Sequence, residues 1–330
     1  MQLFIKNNQN EIIYKPVVED DITLFYERFG AAGRLEFKVY KYNMSRAGEI
    51  LNFHEGDFVD FFKDNIEIFK GTIISKSRDK QEGFINVVAV DQLFYLVKNK
   101  HFMCYENKTL TDVVKLIAQE FKYQVGVLEN SSFIIPQRIE ENKSLMDIIG
   151  YAIDATLVNR GELFVLYDDC GQLTLKNTSN MVIPHDKYFV TSSNARGFEY
   201  QTSIEQDTFN RVVVYHENKE TKGKDFYPVQ DQENINRWGI LQTTEKANDG
   251  ENPTVKAQQI LSLKNRVKRS LMIKNAIGNT DIHCGSQIFV WLYIGDEVLK
   301  TYFMVEKTTH HFKHNDYTMD LSLINKDFSV

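Results

Sequence analysis

Two stretches far apart in this chain are written on one plan: "GDFVDFFKDNIEIFKGTI" from Gly56 and "GSQIFVWLYIGDEVLKTYF" from Gly285. Each runs glycine, alternating strand, tight polar turn (Asp64-Asn65 or Gly295-Asp296), strand, lysine, strand. Each then crosses a polar loop into a final alternating segment, "FINVVAVD" or "YTMDLSL". Apolar residues at every second position mark strands with one face buried. An Asp-Asn pair tolerates positive φ and suits a two-residue hairpin. A further turn is expected around Asp79 to Gly83. The repeat suggests two related small barrels in one chain, separated by a helical module. The expected fold class is mainly β with an inserted α+β module: two related small β-barrels flanking a helical α+β domain.

The rest of the chain divides around those units. Residues 1–100 form the first β domain, where "RLEFKVYKY" alternates Leu35, Phe37 and Val39 with charged neighbours. Residues 101–190 change character. "KTLTDVVKLIAQEF" sets Leu110, Val113, Val114, Ile117, Ala118 and Phe121 on one helical stripe, with Thr109 as cap and Asp112 at the capping-box position. "KSLMDIIGYAIDATL" repeats the design with Ser144 and Asp147. "YQVGVL" and "FIIPQRI" read as short strands, and "GELFVLYDDCGQLTLK" as a hairpin closing through Asp169 to Gly171. Residues 191–330 return to β character. A long polar loop is expected over 218–252, interrupted by "NRWGILQTT", which holds Trp238 and Gly239. Asn252-Pro253 then starts a short helix over about 253–265, with Ala257, Ile260, Leu261 and the stem of Lys264 facing inward.

Chemistry is harder to find. The chain has 39 basic and 45 acidic residues, a net charge of -6, which argues against a dedicated nucleic-acid binder. The basic segment "KNRVKRSLMIK" straddles a helix end, where cations complement the dipole. No run of 18 apolar residues and no signal-peptide pattern occurs. Cys104, Cys170 and Cys284 are too few and too dispersed for a disulfide framework or a zinc site, and read as reduced thiols of a protein made in the cytoplasm. Phosphate-loop and nucleophile-elbow motifs are missing from the sequence. "FGAAGRLEF" lacks the setting of a dinucleotide site, and the adjacent carboxylates Asp168-Asp169 read as a turn. The cluster His310, His311, His314 and Asp316 invites a metal reading. In a hairpin, however, His310 and His311 point to opposite faces, leaving only His311 and His314 able to meet. No catalytic residue, cofactor or metal is therefore assigned.

The order of the pieces resembles a known family, the baseplate hub (tail hub) proteins of contractile phage tails and phage-tail-like bacteriocins, related to the late-control D proteins. The resemblance rests on Gly56-Asp57 opening a strand, "VVAVDQLFYLVKN" around Asp91, "SLMDIIGYAIDATLVNRGELFVLYDDCGQLTL", "DTFNRVVVYH", "RWGILQ" and "YFMVEKTTHHFKHNDYTMDLSL". Trp238 stands where many relatives have Tyr. The resemblance implies a non-enzymatic homotrimer whose tube-like barrels, two per chain, match a hexameric ring. Its implied partners are the tail tube protein, the central spike, baseplate wedge or peripheral proteins and the tape-measure protein, in a particle released by lysis. Two other functions stand beside it: a tail-associated peptidoglycan hydrolase, for which the sequence offers no catalytic constellation, and a monomeric cell-wall-binding module, which the aromatic content and the capped middle helices suggest.

Overall fold

A computed structural model describes residues 1–43, 49–78, 83–205, 207–217, 223–247, 251–314 and 316–325. The first part of the chain forms β1 (Gln2–Lys6), β2 (Ile13–Tyr14), β3 (Ile22–Glu27), β4 (Arg34–Tyr40), β5 (Tyr42–Asn43), β6 (Glu49–Ile50), β7 (Phe58–Lys63), β8 (Ile66–Ser77) and β9 (Phe84–Val90). Leu35, Phe37 and Val39 of β4 face inward, against Ile85, Val87 and Ala89 of β9 and Phe69 and Ile73 of β8. The turn expected at 79–83 lies, apart from Gly83, outside the described residues.

The middle module follows: α1 (Leu93–Lys98), β10 (Lys100–Thr109), α2 (Leu110–Phe121), β11 (Val125–Leu128), β12 (Ile134–Ser144), α3 (Leu145–Arg160), β13 (Phe164–Asp168) and β14 (Leu173–Asn177). Both capping boxes form. The Thr109 and Ser144 hydroxyls accept from the N–H groups of Asp112 and Asp147, whose carboxylates accept in return from the cap N–H groups. The buried stripes of α2 and α3 meet in one core with Leu93, Leu96, Leu173 and Leu175.

The last part holds β15 (Phe189–Thr191), β16 (Gly197–Ser203), β17 (Arg211–Glu217), β18 (Lys224–Gln230), α4 (Gln232–Trp238), β19 (Gln242–Lys246), α5 (Pro253–Lys264), β20 (Lys268–Ile277), β21 (Gln287–Tyr293), β22 (Val298–Lys313) and β23 (Asp316–Asn325). The polar loop expected over 218–252 is thus largely structured. β18 and β19 flank β17 in a separate three-stranded sheet, and the Asp231 side chain caps α4. On α5 the inward residues are Ala257, Ile260 and Leu263, while Lys264 pairs with Asp207 at 2.5 Å.

No closed barrel forms among the described strands; thirteen of them share one sheet. Within it the two halves repeat each other. Neighbours run β3-β4-β9-β8-β7-β1 in the first half and β16-β20-β23-β22-β21-β15 in the second, the same order of chain positions. The register repeats too. Leu24, Leu35, Ala89 and Ile73 lie side by side in the first half; Tyr200, Leu271, Leu323 and Val305 do so in the second. Even the bulge is shared, between Ile73 and Ser75 on β8 and between Val305 and Lys307 on β22. The halves differ where β15 joins β21 in parallel whereas β1 joins β7 antiparallel. The barrels expected from sequence do not close among the described strands, and β22 outruns β21. Its second half keeps an edge free on the side away from β23, and β3 takes that edge.

Candidate assembly site

The place where the halves meet is built from backbone. Lys307–Phe312 of β22 pairs with Ile22–Glu27 of β3, Lys307 opposite Glu27 and Phe312 opposite Ile22. The ladder ends at the bulge, where the Arg28 N–H donates to the Glu306 carbonyl at 2.9 Å. There Arg28 also grips the Glu306 carboxylate with two nitrogens, Nε to Oε2 at 2.6 Å and Nη2 to Oε1 at 3.2 Å. A bulged residue leaves the regular alternation and re-aims its side chain, which sets Glu306 toward Arg28. Such a two-pronged pair has fixed geometry and is stronger than a single surface contact. Lys307 and Glu27 add a second pair at 2.8 Å.

The histidines of this strand separate. His310 is buried, with Nδ1 2.8 Å from the Tyr317 hydroxyl and its ring stacked near Phe312 and Tyr317; burial pushes its pKa down to about 3. His311 lies 3.8 Å from Asp320 and His314 3.7 Å from Asp20. Each therefore has its own neighbour, and Asn315 in the turn lies outside the described residues.

The paired glycines occupy matching positions in the two halves. Gly56 and Gly285 both have φ of 94°, and each donates its N–H at 2.8 Å, to Ile73 and Val305 respectively. The following residues, Asp57 and Ser286, hold the turn by accepting from the N–H of His54 and His283. The signal in the sequence was a four-residue echo, "HEGD" at 54–57 and "HCGS" at 283–286, which sequence reading passed over. The hairpins beyond differ: Asp64 and Asn65, at φ 51° and 64°, make a two-residue turn, whereas Gly295 and Asp296 sit in a wider loop closed by Ile294 N–H to Glu297 carbonyl at 2.9 Å. A side chain at either glycine adopts a strained backbone. At Gly285 a β-carbon also falls 2.7 Å from Val165 of β13, while at Gly56 it meets nothing within 4 Å. Gly285→Ala is expected to cost about 2–4 kcal/mol and Gly56→Ala only about 1–2 kcal/mol, read by urea unfolding. Equal losses would mean that contact with the middle module adds nothing.

Asp91 closes the first half. Its carboxylate accepts from the N–H groups of Gly33 at 2.8 Å and Leu93 at 2.9 Å; in the second half Asn325 accepts likewise from Arg269 at 3.3 Å. Burial and then the charge of nearby Asp168 push Asp91 well above the usual carboxylate range, and burial raises Asp168 as well. Asp168 also borders a cavity of about 160 Å³ with Glu67, Cys170, His283 and His310. Burial raises the Cys170 thiol to about 12, so at neutral pH it is no thiolate nucleophile. Trp238 and Gly239 lie elsewhere, at the end of α4. There the Gly239 carbonyl accepts from the Asn210 amide at 2.7 Å while Asn210 Oδ1 accepts from the Leu241 N–H at 2.9 Å. The residues singled out from sequence do not converge on one pocket; they hold turns and edges.

The profile of the YQBQ-like family matches residues 22–324, nearly the whole of both half-sheets and the module between them. The chain belongs to the YQBQ-like family. A curated relative, phage-like element PBSX protein XkdQ of Bacillus subtilis (strain 168), is 29% identical over 280 residues, 83% of this chain and 82% of that protein. Among solved structures, the 43 kDa tail protein of prophage MuSo2 from Shewanella oneidensis has a TM-score of 0.72 at 13% identity, covering 99% of each chain. An Escherichia coli component of the type VI secretion system, described as structurally similar to the T4 bacteriophage tail proteins gp27 and gp5, has a TM-score of 0.54 at 12% identity, covering 98% of this chain and 76% of that one. This YQBQ-like chain thus has the fold of phage tail proteins. No helix among its described residues is long and apolar enough to cross a membrane.

Proposed function

We propose that the chain is a structural subunit of a phage tail or tail-like particle, a baseplate hub in which three copies join the hexameric tail tube to the central spike. The observation that carries this reading is the repeat. Two half-sheets with one strand order and one bulge give each chain two near-equivalent edges, so three chains present six units to a sixfold ring and threefold symmetry to a spike. The half-sheets are then the tube-like domains, over 1–100 and 191–330, and the module over 101–190 sits at the periphery facing wedge proteins. The names of the relatives, a prophage tail protein and a secretion component likened to T4 tail proteins, support the same reading. Turns and edges hold the residues singled out, which suits a scaffold better than a hydrolase.

The copy number decides it. Quantitative mass spectrometry of purified particles is expected to give three copies of this chain per particle, against a multiple of six for the tail tube protein, with tube and spike proteins among its cross-linked neighbours. A monomer absent from particles, or clearing of a cell-wall suspension by the pure protein, would favour the wall-binding or hydrolase readings instead.

A further inference from the structure

The junction between β22 and β3 is made once within the chain, yet the repeat supplies its two edges a second time. On β8, the positions matching Glu306, Lys307, Thr308 and Thr309 of β22 are Ile74, Ser75, Lys76 and Ser77, since the bulges coincide. On β16, the positions matching Phe25, Tyr26, Glu27 and Arg28 are Gln201, Thr202, Ser203 and Ile204, since Leu24 and Tyr200 occupy the same place in the register. Among the described residues no strand pairs with β16 on its side away from β20, or with Ile74–Ser77 on the side away from β9. Exposure reports the difference. Ile22 of β3 is 3% exposed, whereas Phe198, its counterpart on β16, is 42% exposed. A strand edge of this kind is a template for another chain unless something covers it.

We propose that β16 of one copy adds to β8 of a second copy, antiparallel, with Ser203 opposite Ser75, Thr202 opposite Lys76 and Gln201 opposite Ser77. This rests on the hub reading for the number of copies, but the pairing itself follows from the repeat. The contact is head-to-tail: the edge a copy offers differs from the edge it accepts, and with the three copies of the hub reading the repeated rotation closes into a ring. The end of the ladder supplies specificity. Within the chain the bulge position pairs Glu306 with Arg28. Between chains the same position brings Ile74 against Ile204, an apolar pair. Crossing the two sets would seat Arg28 on Ile74, or Ile204 on Glu306, and leave a half-covered charge without its partner. Internal and external junctions therefore alternate around the ring and are not interchangeable.

Two experiments on assembled particles test this. Ser75→Cys with Ser203→Cys is expected to give disulfide-linked dimers and trimers on mild oxidation. Each single variant, and the out-of-register pair Ser75→Cys with Gln201→Cys, should give none above the background of the natural thiols. Ile74→Glu is expected to lower incorporation into particles more than about 10-fold, and Ile74→Glu with Ile204→Arg to restore it, since the pair then copies Glu306 and Arg28. Particles holding three copies per ring but no in-register cross-link, or a double variant no better than Ile74→Glu alone, would overturn the pairing and leave the hub reading standing. Wild-type particles without three copies would remove both.

Discussion

Ile149→Asp is expected to abolish the folded middle module, leaving either insoluble protein or a separate low-temperature unfolding step for residues about 101 to 185. Ile149 is fully buried on α3, in the core it shares with Leu110, Val113, Val114 and Ile117 of α2. Losing that side chain alone costs about 2–5 kcal/mol, and a carboxylate left without a partner in an apolar core adds several more. The sum, on the order of 5 kcal/mol or more, rivals the whole stability of an ordinary domain. The chain cannot evade it by rotating the helix, because the Ser144–Asp147 capping box and the αL residue Gly161 fix the two ends of α3. Ile149→Val, which removes one methylene, is expected to cost only about 1 kcal/mol. The check is calorimetry on both variants. A single transition for Ile149→Asp at the parent temperature would show that α3 is not part of this core.

That helix was legible in the sequence because its determinants are local. A cap, an acid three residues on and an apolar stripe all lie within a few turns of the chain. The Asp64-Asn65 hairpin was legible for the same reason, since positive φ is a property of the two residues themselves. β18 was not. Its sequence "KDFYPVQ" carries Pro228, and it borders β17 as an edge strand with Phe226 exposed, so no alternation announces it. α4 buries no side chain at all, and only its Asp231 cap marks it. The junction was invisible for a different reason. β3 and β22 lie at opposite ends of the chain, and the bulge that aims Glu306 at Arg28 is an extra residue in one partner, which no periodicity records. The repeat itself left a trace in the glycines and their neighbours, while the matching wall residues, Leu24 with Tyr200 or Ala89 with Leu323, have drifted in size. A sheet face requires only apolar character at those places, so their identity is free to change.

His310 is expected to draw stability from the fold as the pH drops from about 6.5 toward 3. In the fold its imidazole is buried beside the stacked rings of Phe312 and Tyr317, with Nδ1 2.8 Å from the Tyr317 hydroxyl, and burial pushes its pKa down to about 3. An unfolded chain returns it to an ordinary value near 6.5. Between those values the unfolded state binds a proton that the native state refuses, so stability is complete above the unfolded pKa and drains as pH falls. At about 1.4 kcal/mol per unit the loss is on the order of 4 kcal/mol. His283, half-buried and lowered by desolvation, adds to it. Asp91 and Asp168 act oppositely: burial raises them, so they hold protons more firmly in the fold than out of it and favour the native state as pH falls. The net curve mixes these signs, which is why the variant matters. His310→Asn keeps an acceptor for Tyr317 and removes the titration, leaving every other group in place. Urea unfolding from pH 4 to 8 should find the variant less stable than the parent at neutral pH, through lost packing, yet closing the gap as the pH falls. Two parallel curves would mean that His310 keeps an ordinary pKa inside the fold and would overturn this account.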